Sequence, residues 1–157
     1  MKLKIIAVGK LKEKYLKDAF NEYAKRLSKY GEVVNIELDE YKISDETEAN
    51  QKIAITKEGE SILSKIKPED FVLLFDLWGK NVDSLELASI IDKSTTNFSN
   101  IAVVIGGSYG LSDEVRKRSN FKLSLSKLTF PHQIVRIIAL EQLYRSFKIN
   151  NHEKYHK

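Results

Sequence analysis

Short, almost uninterrupted apolar runs alternate with helical patterns along this 157-residue chain, and this alternation restricts its fold more than any other feature. The runs predict five strands, at Leu3–Val8, Val33–Leu38, Phe71–Leu77, Ile101–Ile105 and Phe121–Leu125. Strands that are apolar on both faces are typical of a mostly parallel sheet with helices on both sides. The sequence therefore predicts an α/β fold.

Segments with apolar residues at helical spacing follow each of these runs. The sequence Asp83-Ser-Leu-Glu86 has the form of a capping box, in which the first and fourth side chains bond to each other's backbone. The predicted helices are Leu11–Lys29, Asp45–Lys65, Asp83–Thr96, a short helix capped by Ser112, and Pro131–Ile149. No linker or repeat interrupts the order, so we expect residues 1–157 to form a single domain.

Composition excludes several classes of site. The chain has no cysteine, which rules out disulfide scaffolds, zinc–thiolate sites and thiol nucleophiles. Its three histidines, His132, His152 and His156, are too few and too late in the chain to suggest a metal site. No apolar run approaches the roughly 20 residues that a membrane span needs. The apolar start is too short for a signal peptide, so we expect a cytosolic protein.

The net charge of +4 hides an uneven distribution. Residues 1–31 carry nine basic and three acidic side chains, and residues 98–157 carry ten and four, so each end has a net charge of +6. Residues 32–97 carry seven and fifteen, a net charge of −8. If the two ends meet in the fold, they form a surface that attracts nucleic-acid phosphates. An ordinary solvated lysine surface is the alternative.

Two glycine-containing segments follow predicted strands, where α/β folds bind their ligands. In Leu77–Lys80 the glycine predicts a sharp turn, and Trp78 is either beside a ligand or a packed aromatic residue of a plain turn. In Ile105–Gly110 three glycines let the backbone approach a ligand and expose N–H groups. This loop matches neither the P-loop nor the dinucleotide fingerprint.

The segment Leu123–His132 combines a strand end, a hydroxyl-rich loop and the start of a helix at Pro131. Its main chain is suited to holding a flat polar ring by hydrogen bonds. His132 falls in the first helical turn, where it either takes part in catalysis or merely caps or packs. The residues alone leave both interpretations open.

The last helix has a broad apolar face that includes Ile138 and Leu143, and a face this wide predicts a subunit interface. The tail, residues 151–157, mixes an aromatic ring with cations, which suits RNA, although most polar chain ends are simply frayed. The expected RNA contacts in the helix and tail are Arg136, Arg145 and Lys154.

Several segments together resemble one known family in order and spacing, the bacterial ribosomal RNA large-subunit methyltransferase H family of the SPOUT superfamily. The resemblance covers the whole chain. The motifs that carry it are Ile5–Lys10, Gly106–Leu111, Leu125–His132, Glu141–Arg145 and Tyr155–Lys157.

The resemblance implies a C-terminal trefoil knot, S-adenosylmethionine as methyl donor and a homodimer. It also implies a substrate: N3 of a pseudouridine in the helix 69 stem-loop of 23S rRNA, within the assembled ribosome. In the family the tail lies near the active site, over the partner subunit's cofactor. By motif, the expected cofactor residues are Phe75, Gly106, Leu125, Ser126, Lys127, Leu128, Thr129 and Phe130.

Methyl transfer to N3 requires alignment of donor and acceptor and removal of the N3 proton. The chain offers three candidates for the catalytic groups: His132, Tyr155 and His156. Two other functions use the same features. One is a non-catalytic RNA-binding or ribosome-associated protein with the same basic surface. The other is a nucleotide-binding enzyme that uses Gly106–Gly110.

Overall fold

The computed structural model describes residues 1–157, and its centre is a five-stranded parallel sheet. The strands are β1 (Lys2–Val8), β2 (Glu32–Leu38), β3 (Asp70–Lys80), β4 (Asn100–Ile105) and β5 (Phe121–Leu123), in the spatial order β2-β1-β4-β3-β5. All four neighbouring pairs are parallel. This arrangement confirms the predicted α/β fold.

Five helices connect and follow the strands: α1 (Lys14–Leu27), α2 (Glu48–Leu63), α3 (Ser84–Asn97), α4 (Asp113–Arg118) and α5 (His132–Asn150). Two predicted helix starts are confirmed in detail. Asp83 and Glu86 form a reciprocal capping box, and Ser112 accepts a hydrogen bond from the backbone N–H of Val115. Helix α2 starts three residues later than the predicted Asp45, and Thr47 caps it by accepting a hydrogen bond from the backbone N–H of Asn50.

The sheet separates two hydrophobic clusters, as near-continuous apolar strands require. The larger cluster joins one sheet face to α1, α3 and α5. The smaller joins the other face to α2 and α4, through Ile62 and Val115. The trefoil knot implied by the resemblance stays a prediction.

Strand β3 is longer than predicted, and the sharp turn expected at Leu77–Lys80 is wrong. Leu123 of β5 pairs first with Phe75 and then with Lys80, so the intervening residues leave the ladder before the strand resumes. A Cβ at Gly79 would lie 2.7 Å from the backbone carbonyl of Lys122. The glycine is therefore needed for the close approach of two strands. Strand β5 correspondingly ends at Leu123, two residues early.

Two expectations for α5 need correction. Arg136, a predicted RNA contact, is completely buried, and its guanidinium bonds to Glu37 and to the backbone oxygens of β1. It has no surface to offer to RNA. Leu143, expected at a subunit interface, is 1% exposed and belongs to the larger core cluster. A face that looked too wide for one sheet is largely covered within the chain, because α1 and α3 pack against α5 on both sides.

The tail docks on its own chain. Glu153 accepts hydrogen bonds from Lys29, Lys148 and the Tyr30 hydroxyl, each at 2.8 Å. Tyr155 packs edge-on against Tyr144, with ring centroids 4.9 Å apart. The alternative interpretation of the tail as a frayed end is therefore wrong, and its predicted contact with RNA stays a prediction.

Candidate active site

One cavity of about 350 Å³ opens at the carboxyl edge of the sheet, within the size range of small-molecule sites. Residues Phe75–Trp78, where β3 leaves its ladder with β5, line it together with the loops that follow β4 and β5 and the first turn of α5. These regions overlap the three segments that the sequence singled out. Sheet topology explains their convergence, since β3 is hydrogen-bonded to both β4 and β5.

The glycine loop after β4 is shaped by local packing. Gly107 and Gly110 form an isolated antiparallel bridge, and Gly110 has a φ of +108°, which favours glycine. A Cβ on Gly106 would lie 2.7 Å from Leu111 and 3.2 Å from the carbonyl oxygen of Gly110. Any side chain at Gly106 therefore displaces the far end of the loop that lines the cavity.

The loop after β5 presents its main chain to the cavity. Among the backbone N–H groups of Leu125–Phe130, only that of Leu128 donates a hydrogen bond within the chain, to the Ser126 hydroxyl at 3.0 Å. Every predicted cofactor residue lines the cavity except Lys127, which is exposed outside it. This donor set fits a ligand with a flat polar ring.

An ion pair that sequence reasoning missed supports the cavity wall. Asp76, 5% exposed at the end of the apolar part of β3, accepts from Arg116 Nε at 3.0 Å and from the backbone N–H of Trp78 at 3.1 Å. Arg116 also donates to the carbonyl of Leu111. The pair ties the loop after β4 to the end of β3. The available signal was one carboxylate ending an otherwise apolar run.

Trp78 is the only tryptophan in the chain, and 83% of its surface is exposed. It lines the cavity, together with the exposed side chains of Leu77 and Leu128. The interpretation of Trp78 as a packed aromatic residue of a turn is therefore wrong. An exposed indole at a cavity also makes its fluorescence a direct reporter of ligand binding.

His132 is the one catalytic candidate that lines the cavity, and it is half-buried. Burial of the ring, followed by the positive charge of Arg136, lowers the pKa of His132 below its usual value. The carboxylate of Glu40 acts in the opposite direction. The imidazole is thus predominantly neutral near pH 7 and able to accept a proton.

Tyr155 and His156 lie elsewhere in the same chain. The Tyr155 hydroxyl donates to Glu141 at 3.2 Å, and His156 Nδ1 lies 3.1 Å from Arg145 Nη1. On α5, Glu141 and Arg145 follow His132 by roughly 14 and 20 Å at 1.5 Å per residue. The three catalytic candidates therefore do not meet within one chain.

The surroundings of the tail also distinguish its two candidates. Burial and the nearby Glu141 carboxylate raise the pKa of the Tyr155 hydroxyl, so it is a neutral phenol at physiological pH. It can orient or stack on a base but is poorly suited to remove a proton. A guanidinium only donates, so Nδ1 of His156 is the acceptor in its contact with Arg145.

The two remaining RNA candidates differ in availability. Arg145 makes two bonds to Glu141, at 2.6 and 3.1 Å, and its guanidinium lies 4.8 Å from the Tyr155 ring centroid. An RNA phosphate would have to compete with this network. Lys154 is exposed and has no ion-pair partner in the chain. Both stay predicted RNA contacts.

No helix has both the length and the apolarity to span a membrane. No group of three or more histidine, aspartate or glutamate side chains is arranged to hold a metal ion.

Comparison with known proteins gives consistent matches over the full chain. A family model described as "Predicted SPOUT methyltransferase" matches residues 1–156. A protein from Clostridium novyi called "Ribosomal RNA large subunit methyltransferase H" is 53% identical over 100% of both chains. Proteins with the same name from Clostridium acetobutylicum and Carboxydothermus hydrogenoformans are 51% and 48% identical, again over 100% of both chains.

Proposed function

This chain belongs to the ribosomal RNA large-subunit methyltransferase H family of SPOUT methyltransferases, and we propose that it methylates N3 of a pseudouridine in the helix 69 stem-loop of 23S rRNA. S-adenosylmethionine is the proposed methyl donor, and the assembled ribosome in the cytoplasm is the proposed substrate. One observation carries the proposal: a single cavity at the carboxyl edge of the sheet is lined by the glycine loop, by His132 and by the Leu125–Phe130 loop, whose backbone N–H groups are mostly unpaired.

The cavity residues fit the proposed cofactor. The unpaired N–H groups of Leu125–Phe130 are suited to the edge of an adenine ring, and the apolar side chains of Phe75 and Leu125 to its faces. Gly106 keeps the backbone of the glycine loop close to this space. Most of the recognition would come from main-chain groups, which explains why few side chains in these loops are themselves specific for a nucleoside.

The cofactor, when bound, supplies a methyl group on a cationic sulfonium, which needs no further activation. The protein must therefore align the acceptor nitrogen and accept the proton that it releases. In this proposal the cavity loops fix the donor, the basic surface holds the RNA, and His132 accepts the N3 proton. The carbon–sulfur bond breaks, a carbon–nitrogen bond forms, and S-adenosylhomocysteine and methylated RNA are the products.

A homodimer would bring the tail to the reaction. Tyr155 and His156 contact Glu141 and Arg145, which lie far along α5 from the cavity of the same chain. In this proposal they therefore serve the reaction at the cavity of a partner subunit. The exposed apolar side chains near the cavity, such as Ile134 at 40% exposure, offer a surface for that subunit.

Sedimentation velocity tests the dimer. We expect the wild type to be a dimer at micromolar concentration. Ile134→Glu should give folded monomers, because the residue is exposed and its charge would be buried only at the interface. Leu143→Glu does not test the dimer, because it places a charge in the core. A well-folded wild-type monomer would contradict the proposal.

The reaction is tested with ribosomes that lack the modification. The protein should transfer a labelled methyl group from S-adenosylmethionine to 23S rRNA, and nuclease mapping should place the label at N3 of a pseudouridine in helix 69. Label at another nucleotide would reject the proposed site while retaining rRNA methylation. No transfer to intact ribosomes, with transfer to free rRNA, would reject the assembled substrate.

Calorimetry with S-adenosylhomocysteine separates this enzyme from an RNA-binding protein that uses the same basic surface, because the latter has no use for the ligand. ATP binding without S-adenosylhomocysteine binding would instead favour the nucleotide-binding alternative. Trp78 provides a second readout, since its indole lines the cavity.

A further inference from the structure

The carboxyl end of β1 is held by a buried cation from α5. Arg136 donates through Nη2 to the carbonyl of Gly9 at 2.7 Å and to that of Val8 at 3.3 Å. Through Nη1 it donates to Glu37 at 2.8 Å. Glu37 in turn accepts from the backbone N–H of Leu11 at 2.8 Å. One guanidinium thus joins the end of β1, strand β2 and helix α5.

This network lies directly beside His132. His132 and Arg136 are four residues apart on α5, so their side chains occupy the same helix face. A Cβ placed on Gly9 would lie 3.2 Å from Glu40 Oε1, 3.6 Å from His132 Nε2 and 3.7 Å from Arg136 Nη2. Three titratable groups therefore converge on one glycine, whose φ of +91° also favours glycine.

The charges that face the imidazole are few. Arg136 comes from its own helix, and Glu40 from the segment after β2. The other charged side chains that line the cavity, Asp76 and Arg116, are paired with each other. Apart from the burial of the ring, which is the largest cause of its lowered pKa, His132 is thus influenced by one cation and one carboxylate of opposite effect.

We propose that Arg136 is a positioning residue for methyl transfer: bonded to Glu37 and to the carbonyl oxygens of Val8 and Gly9, it anchors the start of α5 to the sheet and thereby places the His132 ring at the cavity as the proton acceptor. This inference rests on the proposed function. N3 of the target nucleobase supplies an electron pair to the methyl carbon of the donor. The proton of the N3–H group passes to the His132 imidazole, and water later removes it from the imidazole. Arg136 itself touches neither RNA nor cofactor.

The first test is an NMR titration of the histidine ring protons in the free protein, with His132 assigned by its loss in His132→Gln. Arg136→Gln removes a positive neighbour and should raise the pKa of His132. Glu40→Gln removes a negative neighbour and should lower it. Glu60→Gln, an exposed carboxylate on α2, is the matched control and should leave it unchanged.

The second test is single-turnover methylation of unmodified ribosomes as a function of pH. Arg136→Lys keeps the positive charge, but one ammonium group cannot donate to Glu37 and to the carbonyl oxygens of Val8 and Gly9 with the same geometry. The rate of methylation should therefore fall at least tenfold. Its affinity for S-adenosylhomocysteine should stay within threefold of the wild type. The acidic limb of the rate profile should move to higher pH in Arg136→Gln and to lower pH in Glu40→Gln.

Several results would overturn the proposal. Arg136→Lys could methylate at the wild-type rate, or lose cofactor affinity in proportion to rate, which would indicate a purely structural role. Loss of a cooperative melting transition in both Arg136 variants would indicate the same. An unmoved His132 titration in Glu40→Gln would show that the cluster does not control the ring. The titrations need no RNA, so they stand even if wild-type methylation fails.

Discussion

Two short segments flank α5, and they differ in how far their polar groups are bonded within the chain. The loop before the helix, Leu125–Phe130, has mostly exposed side chains and backbone donors without partners in the chain. The tail after the helix, residues 151–157, is more polar, yet it is fixed by Glu153 and Tyr155. The loop is thus prepared for a ligand, whereas the tail already has its contacts.

The difference teaches that polarity alone does not decide whether a segment is ordered. Glu153 is held by two ammonium groups and a hydroxyl, of which Lys29 and Tyr30 lie in the segment after α1 and Lys148 lies on α5. The Tyr30 ring stacks on Phe147, with centroids 5.1 Å apart, which fixes the hydroxyl that donates to Glu153. The tail therefore has a defined position on its own chain.

Deletion of residues 151–157 should have the largest effect, and it should reduce methyl transfer while leaving cofactor binding nearly unchanged. We expect methyl transfer to ribosomes to fall at least ~100-fold, the lower end expected for lost positioning and acid–base help. Affinity for S-adenosylmethionine should stay within about threefold, a difference below ~0.7 kcal/mol. Calorimetry on the truncated protein and single-turnover methylation measure the two quantities.

The contacts of the tail call for a shorter companion deletion, of residues 154–157. This variant keeps Glu153 and its three bonds, so any loss of methylation is not due to undocking of the whole segment. Near wild-type methylation by both deletions would show that the tail has no part in the reaction. Collapse of cofactor binding would assign the tail to the cavity instead.

Gly106→Val should damage the cavity side without touching the tail. The new side chain would overlap Leu111 and approach the carbonyl of Gly110, and overpacking costs about 1–3 kcal/mol. We expect S-adenosylhomocysteine affinity to fall by roughly 5- to 150-fold, as followed by Trp78 fluorescence. The Tyr155 ring signals in NMR should not move. If they do, the two segments are coupled.

Much of this contrast could be predicted from the sequence, but not all of it. The apolar runs located the strands, and the position of three loops after strands located the cavity. The sequence did not reveal that Arg136 is buried. An arginine that shares helical spacing with a polar residue such as Gln133 usually lies on the solvated face of a helix. Its partner Glu37 is 99 residues away, and local patterns contain no information about such a pairing.

The docking of the tail on its own chain was hidden for the same reason. Its order depends on Lys29 and Tyr30, which are more than 120 residues earlier in the chain. The extension of β3 from Leu77 to Lys80 was missed because a glycine after an apolar run usually marks a turn. Only the backbone of Lys122, across the strand gap, shows why glycine is required there.

Ser126→Ala should have a small effect and so sharpen the description of the loop. Its hydroxyl accepts from the backbone N–H of Leu128, and one neutral hydrogen bond contributes under ~1.5 kcal/mol. Cofactor affinity should fall less than in Gly106→Val, because the main chain does most of the binding. Equal losses in the two variants, measured by the same titration, would contradict backbone recognition.

The smallest expected effect concerns acid, and it uses two carboxylates with opposite shifts. Bonds from Lys148, Lys29 and Tyr30 lower the pKa of Glu153, in the tail, from 4.5 to about 2. Burial raises the pKa of Glu58, whose Oε1 lies beneath the glycine loop, 2.9 Å from where a Cβ on Gly107 would be. The two segments should therefore respond to pH in opposite directions.

A lowered pKa means that the contribution of Glu153 is present above pH 4.5 and is lost as the pH falls towards about 2. A raised pKa means that the contribution of Glu58 is present below 4.5 and is lost as the pH rises through its folded value. On acidification the Gly107 amide signal should therefore change first, and the Tyr155 ring signals should shift towards free tyrosine only as the pH approaches about 2. Glu153→Gln should show the undocked Tyr155 signals already at pH 7, whereas Glu58→Gln should abolish the pH response of Gly107. Simultaneous change of both signals in the wild type would mean that tail and loop unfold as one unit.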